Sequence, residues 1–129
     1  MKICKSAFTI ENWDENENDK WEGGKLTRTI ARKNFSGEIE GTAELEAIML
    51  RMADEQEGVM SYVGVERVNC TMDGRSGSFI LIHNAEAIGR DTNSHWKILP
   101  GSGTGDFKGI HGTGDITPDH EFTLNYELD

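Results

Sequence analysis

Near the end of the chain, Phe122, Leu124, Tyr126 and Leu128 alternate with Glu121, Thr123, Asn125 and Glu127. One face of such a segment is apolar and the other polar, the period of two that predicts a half-buried β-strand. Ile39, Gly41, Ala43, Leu45, Ala47 and Met49 alternate in the same way with Glu38, Glu40, Thr42, Glu44 and Glu46. Ala43 to Asp54 is also rich in helix-favouring Ala, Leu, Glu and Met. The alternation starts cleanly at Glu38, so a strand through about Met49 is preferred. Further strands are expected over Lys5–Asn12, Leu26–Lys33, Val59–Cys70, Gly77–Ala87, His95–Leu99 and Asp106–His111.

The connections carry turn chemistry. Met72-Asp73-Gly74-Arg75 holds the Asp-Gly pair of a type I′ hairpin. Asn34-Phe35-Ser36-Gly37, Glu55-Gln56-Glu57-Gly58 and Gly89-Arg90-Asp91-Thr92-Asn93 read as polar turns or loops. Asp14 to Gly24 has little to bury and is expected to be the longest and most mobile connection. The pattern predicts an all-β chain of eight strands with no confident helix. Short hairpin links favour one antiparallel up-and-down β-barrel, a single domain over residues 1–129.

The stretch Leu99 to Asp115 contains six glycines and has no helical period. Gly101-Ser102-Gly103-Thr104-Gly105 superficially resembles a phosphate-binding loop. Such a loop needs a helix directly behind the glycines, and here Asp106-Phe107-Lys108-Gly109-Ile110 is expected to continue as strand. The glycines are therefore assigned to a barrel corner, where backbones pass closely.

Composition narrows the function classes. A net charge of −10 disfavours nucleic acid, whose phosphates would be repelled. The acids of Glu11–Glu22 and Glu38–Glu46 flank a basic segment, Lys25, Arg28, Arg32 and Lys33, which predicts cross-strand ion pairs. Two cysteines on separate segments, Cys4 and Cys70, read as reduced thiols of a cytoplasmic protein. Met1-Lys2-Ile3-Cys4-Lys5 returns to charge before an apolar run forms, so no secretory leader is expected. No segment approaches the roughly 20 apolar residues of a membrane helix.

Val59–Cys70 is the richest candidate for chemistry. Met60, Tyr62, Gly64, Glu66 and Val68 share one face, and Val59, Ser61, Val63, Val65 and Arg67 the other. Both faces are largely apolar, so the strand is expected to be covered on both sides. One of Glu66 and Arg67 must then point inward. An inward Glu66 needs partners, for which Tyr62, His83 and an arginine of the basic segment are available. A Tyr–Glu–His group in an apolar cavity could orient a ligand or move protons. Tyr62, Glu66, His83 and Trp96 are thus the candidate ligand-binding residues. His83, His95, His111 and His120 lack the close spacing of a metal site, and neither a metal nor another cofactor is expected. No serine or cysteine has a base beside it in sequence.

Tyr62-Val63-Gly64-Val65-Glu66-Arg67-Val68, Asp73-Gly74-Arg75-Ser76-Gly77-Ser78-Phe79, Pro100-Gly101-Ser102-Gly103-Thr104-Gly105-Asp106 and Leu124-Asn125-Tyr126-Glu127-Leu128 follow in that order. Together they resemble a family of small, mostly bacterial proteins of unknown function. Cys70 stands where that family usually has glycine. The resemblance implies a fold similar to the allene oxide cyclase and dirigent barrel, often self-associated, and transfers no activity. Three function classes are compatible with these residues. The first is a barrel binding a small, largely apolar molecule in its lumen. The others are an isomerase or cyclase using an acid–base pair there, and a homo-oligomeric interaction module.

Overall fold

The computed structural model describes residues 1–53, 59–88, 91–116 and 121–129. Eight strands follow one another: β1 (Lys2–Trp21), β2 (Gly24–Gly37), β3 (Ile39–Met52), β4 (Met60–Met72), β5 (Arg75–Ile88), β6 (Asp91–Ile98), β7 (Ile110–Ile116) and β8 (Glu121–Leu128). Each pairs antiparallel with its neighbour, and β8 returns to β1, giving one ring-closed sheet in up-and-down order. The expected architecture is the observed one. At Asp73-Gly74 both residues have positive φ, 54° and 73°, as a type I′ turn requires. The Glu55–Gly58 loop, Gly89-Arg90 and His120 lie outside the described residues.

Four expectations about segments are corrected. Asn34-Phe35-Ser36-Gly37 is not a turn but the end of β2, with Phe35 in the core, and Asp91–Asn93 of the expected loop belongs to β6. Asp14–Gly24 is not a loop: β1 runs to Trp21 and pairs with β2 down to Trp21↔Gly24. Its sequence hides this because β1 leaves β8 after Ala7↔Glu121, so its upper half has no core to fill. The expected strand Asp106–His111 is also wrong at its start. Gly105–Phe107 forms one 3-10 turn, and strand begins only at Ile110.

That turn explains the glycines. The 99–109 crossover folds under the barrel and drives Phe107 into its floor, fully buried and edge-on to Phe79 with ring centres 5.7 Å apart. Thr104 N donates to Ser78 O at 2.8 Å, and Thr104 Oγ1 accepts from Ser78 N at 3.1 Å. The crossover lies so close to β5 that a Cβ on Gly77 would overlap the Thr104 carbonyl, and it is itself so tightly wound that one on Gly103 would overlap the Phe107 carbonyl. The glycines serve a plug rather than a bend in a continuous strand.

The lower lumen is solid. Cys4, Phe35, Ile39, Val68, Phe79, Leu81, Ile98, Phe107, Phe122 and Tyr126 belong to one buried cluster. Asp73, from the β4–β5 turn, reaches under it to accept hydrogen bonds from the Tyr126 hydroxyl and, at 3.5 Å, the Cys4 thiol. Cys4 and Cys70 are buried free thiols. Burial and the neighbouring Asp73 push Cys4 up to about 11, and burial with the neighbouring Cys4 pushes Cys70 up to about 12. The upper lumen has a smaller cluster, Ala31, Leu45, Ala47 and Met49, with Met60 and Tyr62 against it.

Gly103→Ala is expected to cost about 2–4 kcal/mol in urea unfolding, because its Cβ would press on the Phe107 carbonyl and the plug cannot recede without opening the floor. Gly101→Ala, at φ 88° with open space around it, should cost only about 1 kcal/mol. Equal effects would mean that the plug does not bear on the core.

Candidate functional site

The β4 register turns Glu66 inward. It lies opposite Leu45 of β3 and Leu81 of β5, both buried, so all three share the lumen face. Glu66 itself has no solvent exposure. His83 of β5, also buried, lies opposite Gly64 and Trp96, and its Nε2 is 2.8 Å from Glu66 Oε1. Lys33 of β2 brings its ammonium to 3.1 Å from Glu66 Oε2, with only 7% of its side chain exposed. Tyr62, one inward position above Gly64, places its hydroxyl 3.2 Å from His83 Nδ1. The cation comes from the basic segment as expected, but it is a lysine and not an arginine.

Burial alone would raise the Glu66 carboxyl, but the His83 hydrogen bond and the Lys33 charge reverse this and hold it below the ordinary carboxylate value. An ionised Glu66 needs a donor, which assigns the proton to His83 Nε2. In the neutral ring His83 Nδ1 then accepts from the Tyr62 hydroxyl. Burial chiefly pushes that phenol up to about 12, with the Glu66 charge adding to it. Tyr62 is therefore a protonated donor at neutral pH.

Aromatic rings wall this group. His83 and Trp96 lie with ring centres 4.1 Å apart and planes 39° apart. The Lys33 ammonium lies 5.2 Å from the Phe8 ring centre and 5.3 Å from that of Trp96. Both are cation–π contacts that replace part of the lost hydration. Tyr62, Glu66, His83 and Trp96, the four residues singled out from the sequence, thus meet in one place. Lys33 and Phe8 were missed as members. Lys33 looked like one more exposed cation in a charged strand, and only its alternation with Ala31 and Phe35 signalled an inward side chain.

Above this layer the barrel opens. A register shift between Ile10 and Asn12 inserts Glu11 as an extra residue in β1. Ile10 therefore faces Lys33, while Trp13 and Glu15 face Ala31 and Thr29, all on the lumen side. Ile10 and Trp13 nevertheless remain 49% and 43% exposed. Glu15 accepts from Arg51 of β3 at 2.8 and 2.9 Å, spanning β2, and from Thr27 at 2.7 Å. The Arg51 hydrogen bonds hold the Glu15 carboxyl down at about 2. A recess of about 180 Å³ opens beside Tyr62, bordered by Met60, Ala85, Ala87 and Ser94.

The outer face departs from expectation. Val59–Cys70 is not covered on both sides: Val63 and Val65 are 54% and 49% exposed on the outside of the barrel. Among the described residues, the other two histidines lie elsewhere, His111 with Nε2 3.1 Å from an Asp129 carboxylate oxygen and His95 exposed on β6. Trp21 is an exposed residue at the tip of β1.

Removing one partner of the buried pair should be costly. Glu66→Gln is expected to lose about 3–5 kcal/mol at pH 7, because it leaves the Lys33 ammonium without its counter-charge. The double variant Lys33→Met/Glu66→Gln should lose clearly less than the sum of the single changes. A carboxyl whose folded value lies below its unfolded 4.5 stabilises fully above that pH and loses this stabilisation as pH falls through the folded value. The Glu66→Gln difference, read from urea midpoints, should therefore shrink in acid. A pH-independent difference would mean that the Glu66 charge is not what stabilises the fold.

Similarity to known proteins follows the same outline. A family model described as a protein of unknown function (DUF3224) matches residues 4–129. A crystal structure of a protein of unknown function from the DUF3224 family, from Shewanella oneidensis MR-1, superposes with a TM-score of 0.87 at 25% identity. The match covers 100% of this chain and 98% of that one. A search of curated proteins returned no match. With nearly its whole length matched and its barrel shared, the chain belongs to the DUF3224 family.

Proposed function

We propose that this protein binds a small, largely apolar molecule in the upper lumen of its barrel, above the Lys33–Glu66–His83–Tyr62 layer. The observation that carries this reading is the mismatch between the two ends of the lumen. The floor is plugged by Phe107, whereas at the mouth Ile10 and Trp13 face inward yet stay exposed. Apolar side chains turned toward an unfilled space above a few fixed polar groups are the usual form of a small-molecule site. The buried ion pair supports the same reading, since a well-packed apolar layer would serve stability equally well. A likeness to the allene oxide cyclase and dirigent barrels, and a reducing cytoplasmic setting for the two free thiols, belong to this proposal.

The Tyr62–His83–Glu66 hydrogen-bond chain favours one second reading, acid–base isomerisation of the bound molecule. The two readings separate by substitution. A thermal-shift and NMR screen of small apolar compounds should give hits that perturb Tyr62, His83 and Trp96. Ala85→Phe, which fills the recess beside Tyr62, should abolish them. Gly64→Trp is a poorer probe, because a Cβ there already meets Ala47 Cβ at 3.1 Å and Leu45 Cδ1 at 3.2 Å. Tyr62→Phe should leave binding within about tenfold and remove any conversion of the ligand. Hits that map outside the barrel, or none, would overturn the lumen site.

Self-association is proposed on the outer face, with a second copy as the occupant. Ile48 lies opposite Val63, and Val65 opposite Ile82, forming an apolar patch across β3–β5. Arg28–Glu46 and Arg32–Glu44 pairs, at 2.9 and 3.1 Å, border it. A two-fold axis through such a patch can set the arginines of one copy against the glutamates of the other, in a chain whose excess charge otherwise repels itself. Sedimentation should show a concentration-dependent dimer that Val63→Glu dissociates. A monomer throughout, or a dimer indifferent to that change, would refute this interface.

A further inference from the structure

The lumen holds more hydrogen-bonding capacity than its own residues use. Glu66 Oε1 is satisfied by His83, and His83 Nδ1 by Tyr62. Glu66 Oε2 faces the Lys33 ammonium at 3.1 Å, and one of its three N–H groups suffices to pair that oxygen. The Trp96 indole N–H is buried beside the Tyr62 hydroxyl but makes no well-aligned hydrogen bond. The Thr29 hydroxyl, on the same face of β2 as Lys33, is buried and unpartnered too. A buried polar group without a well-formed hydrogen bond costs about 1–3 kcal/mol, and a molecule that pairs the Trp96 N–H would recover it.

The chemistry of that molecule follows from the charges. Lys33 and Glu66 cancel within 3.1 Å, leaving the layer neutral. A ligand carboxylate would add an unmatched negative charge beside Glu66, out of water and in a chain of net charge −10. A ligand cation would find the only buried carboxylate among the described residues already paired. With one Lys33 N–H given to Glu66 Oε2, the surplus at this level is of donors: the Trp96 N–H and the remaining N–H groups of Lys33. The Lys33 ammonium is 5.3 Å from the Trp96 ring centre, near enough for both to address one group. A neutral oxygen acceptor meets that need. The walls above it, Ile10, Trp13 and Met60, are apolar and suit a hydrocarbon body.

We infer that the lumen ligand is a neutral apolar molecule carrying a carbonyl oxygen, docked on the Trp96 indole N–H and the Lys33 ammonium. This rests on the lumen-binding reading above and adds the chemical class of the ligand.

The test uses three probes of similar shape: acetophenone, ethylbenzene, which lacks the acceptor, and benzoate, which is anionic. Each is titrated into ¹⁵N-labelled protein while the indole N–H of Trp96, assigned through Trp96→Phe, is followed by NMR. Acetophenone should shift that resonance downfield saturably. It should also bind about tenfold more tightly than either other probe, the value of one hydrogen bond to an otherwise unpaired buried donor. In Trp96→Phe, with folding checked by its methyl spectrum, the preference over ethylbenzene should fall several-fold.

Equal binding of ethylbenzene and acetophenone with an unmoved indole would overturn the carbonyl anchor and leave lumen binding standing. Tighter binding of benzoate would overturn the neutrality argument. No lumen shift from any probe would overturn the inference, and the wider compound screen then decides separately whether the lumen binds anything.

Discussion

The Glu66 carboxylate lies wholly out of water at mid-height in the barrel, and the strands around it are arranged to make that tolerable. Its oxygens face His83 from β5 and the Lys33 ammonium from β2, while Tyr62 on β4 steadies the far side of His83. Slipping β2 or β5 by one residue would turn Lys33 or His83 to the outside and strand a buried charge. The loss would be several kcal/mol, comparable to much of a small domain's stability. The ion pair thus acts as a register lock across four consecutive strands. Hydrophobic packing alone would not discriminate among registers so sharply, because many lumen positions are occupied by interchangeable small or aliphatic residues.

The lock also divides the barrel. Below it, aromatic and aliphatic side chains fill the lumen, and the Gly-rich crossover closes the floor with Phe107. Above it, many inward positions hold small residues, Ala31, Ala47, Gly64, Thr29 and Ala85, and the buried cluster there is smaller, with Met49, Met60 and Tyr62 as its large members. The Glu15–Arg51 pair braces this upper part from β1 to β3, where β1 no longer has β8 beside it. Stability therefore resides mainly in the lower half. The upper half has wall, polar anchors and room, which is why the functional proposals concentrate there.

Much of this was legible before any coordinates, and each success has a local cause. The alternation in Glu38–Met49 and Phe122–Leu128 is strict because each strand has one wet and one dry face. Asp73-Gly74 announces its turn because both positions need positive φ. Tyr62, Glu66 and Val68 were placed on one face by parity alone, with His83 offered as one available partner for an inward Glu66. The failures are equally local. Glu11–Trp21 reads as a loop because a strand projecting beyond its sheet neighbours carries no apolar stripe, and a bulge at Glu11 breaks its parity. Asp106–Phe107 reads as strand because nothing within the segment reveals that Phe107 is drawn under the barrel floor. Val63 and Val65 read as covered because apolar residues predict burial, yet one chain alone leaves them facing water.

By itself, then, the sequence determined the all-β class, the number of strands and, where one face is plainly apolar, the side that faces the core; for Val59–Cys70 it left open whether Glu66 or Arg67 points inward. Those properties depend on neighbours one or two residues apart, which the order of residues states directly. Only the tertiary structure decided that Lys33 rather than an arginine neutralises Glu66, that Trp96 stacks on His83, and that the glycines form a plug. Each of these depends on which residues of distant strands stand at the same height, a matter of register, bulges and shear around a closed ring. Closure couples all eight strands, so the height of any one side chain is set by the whole ring and by no single segment.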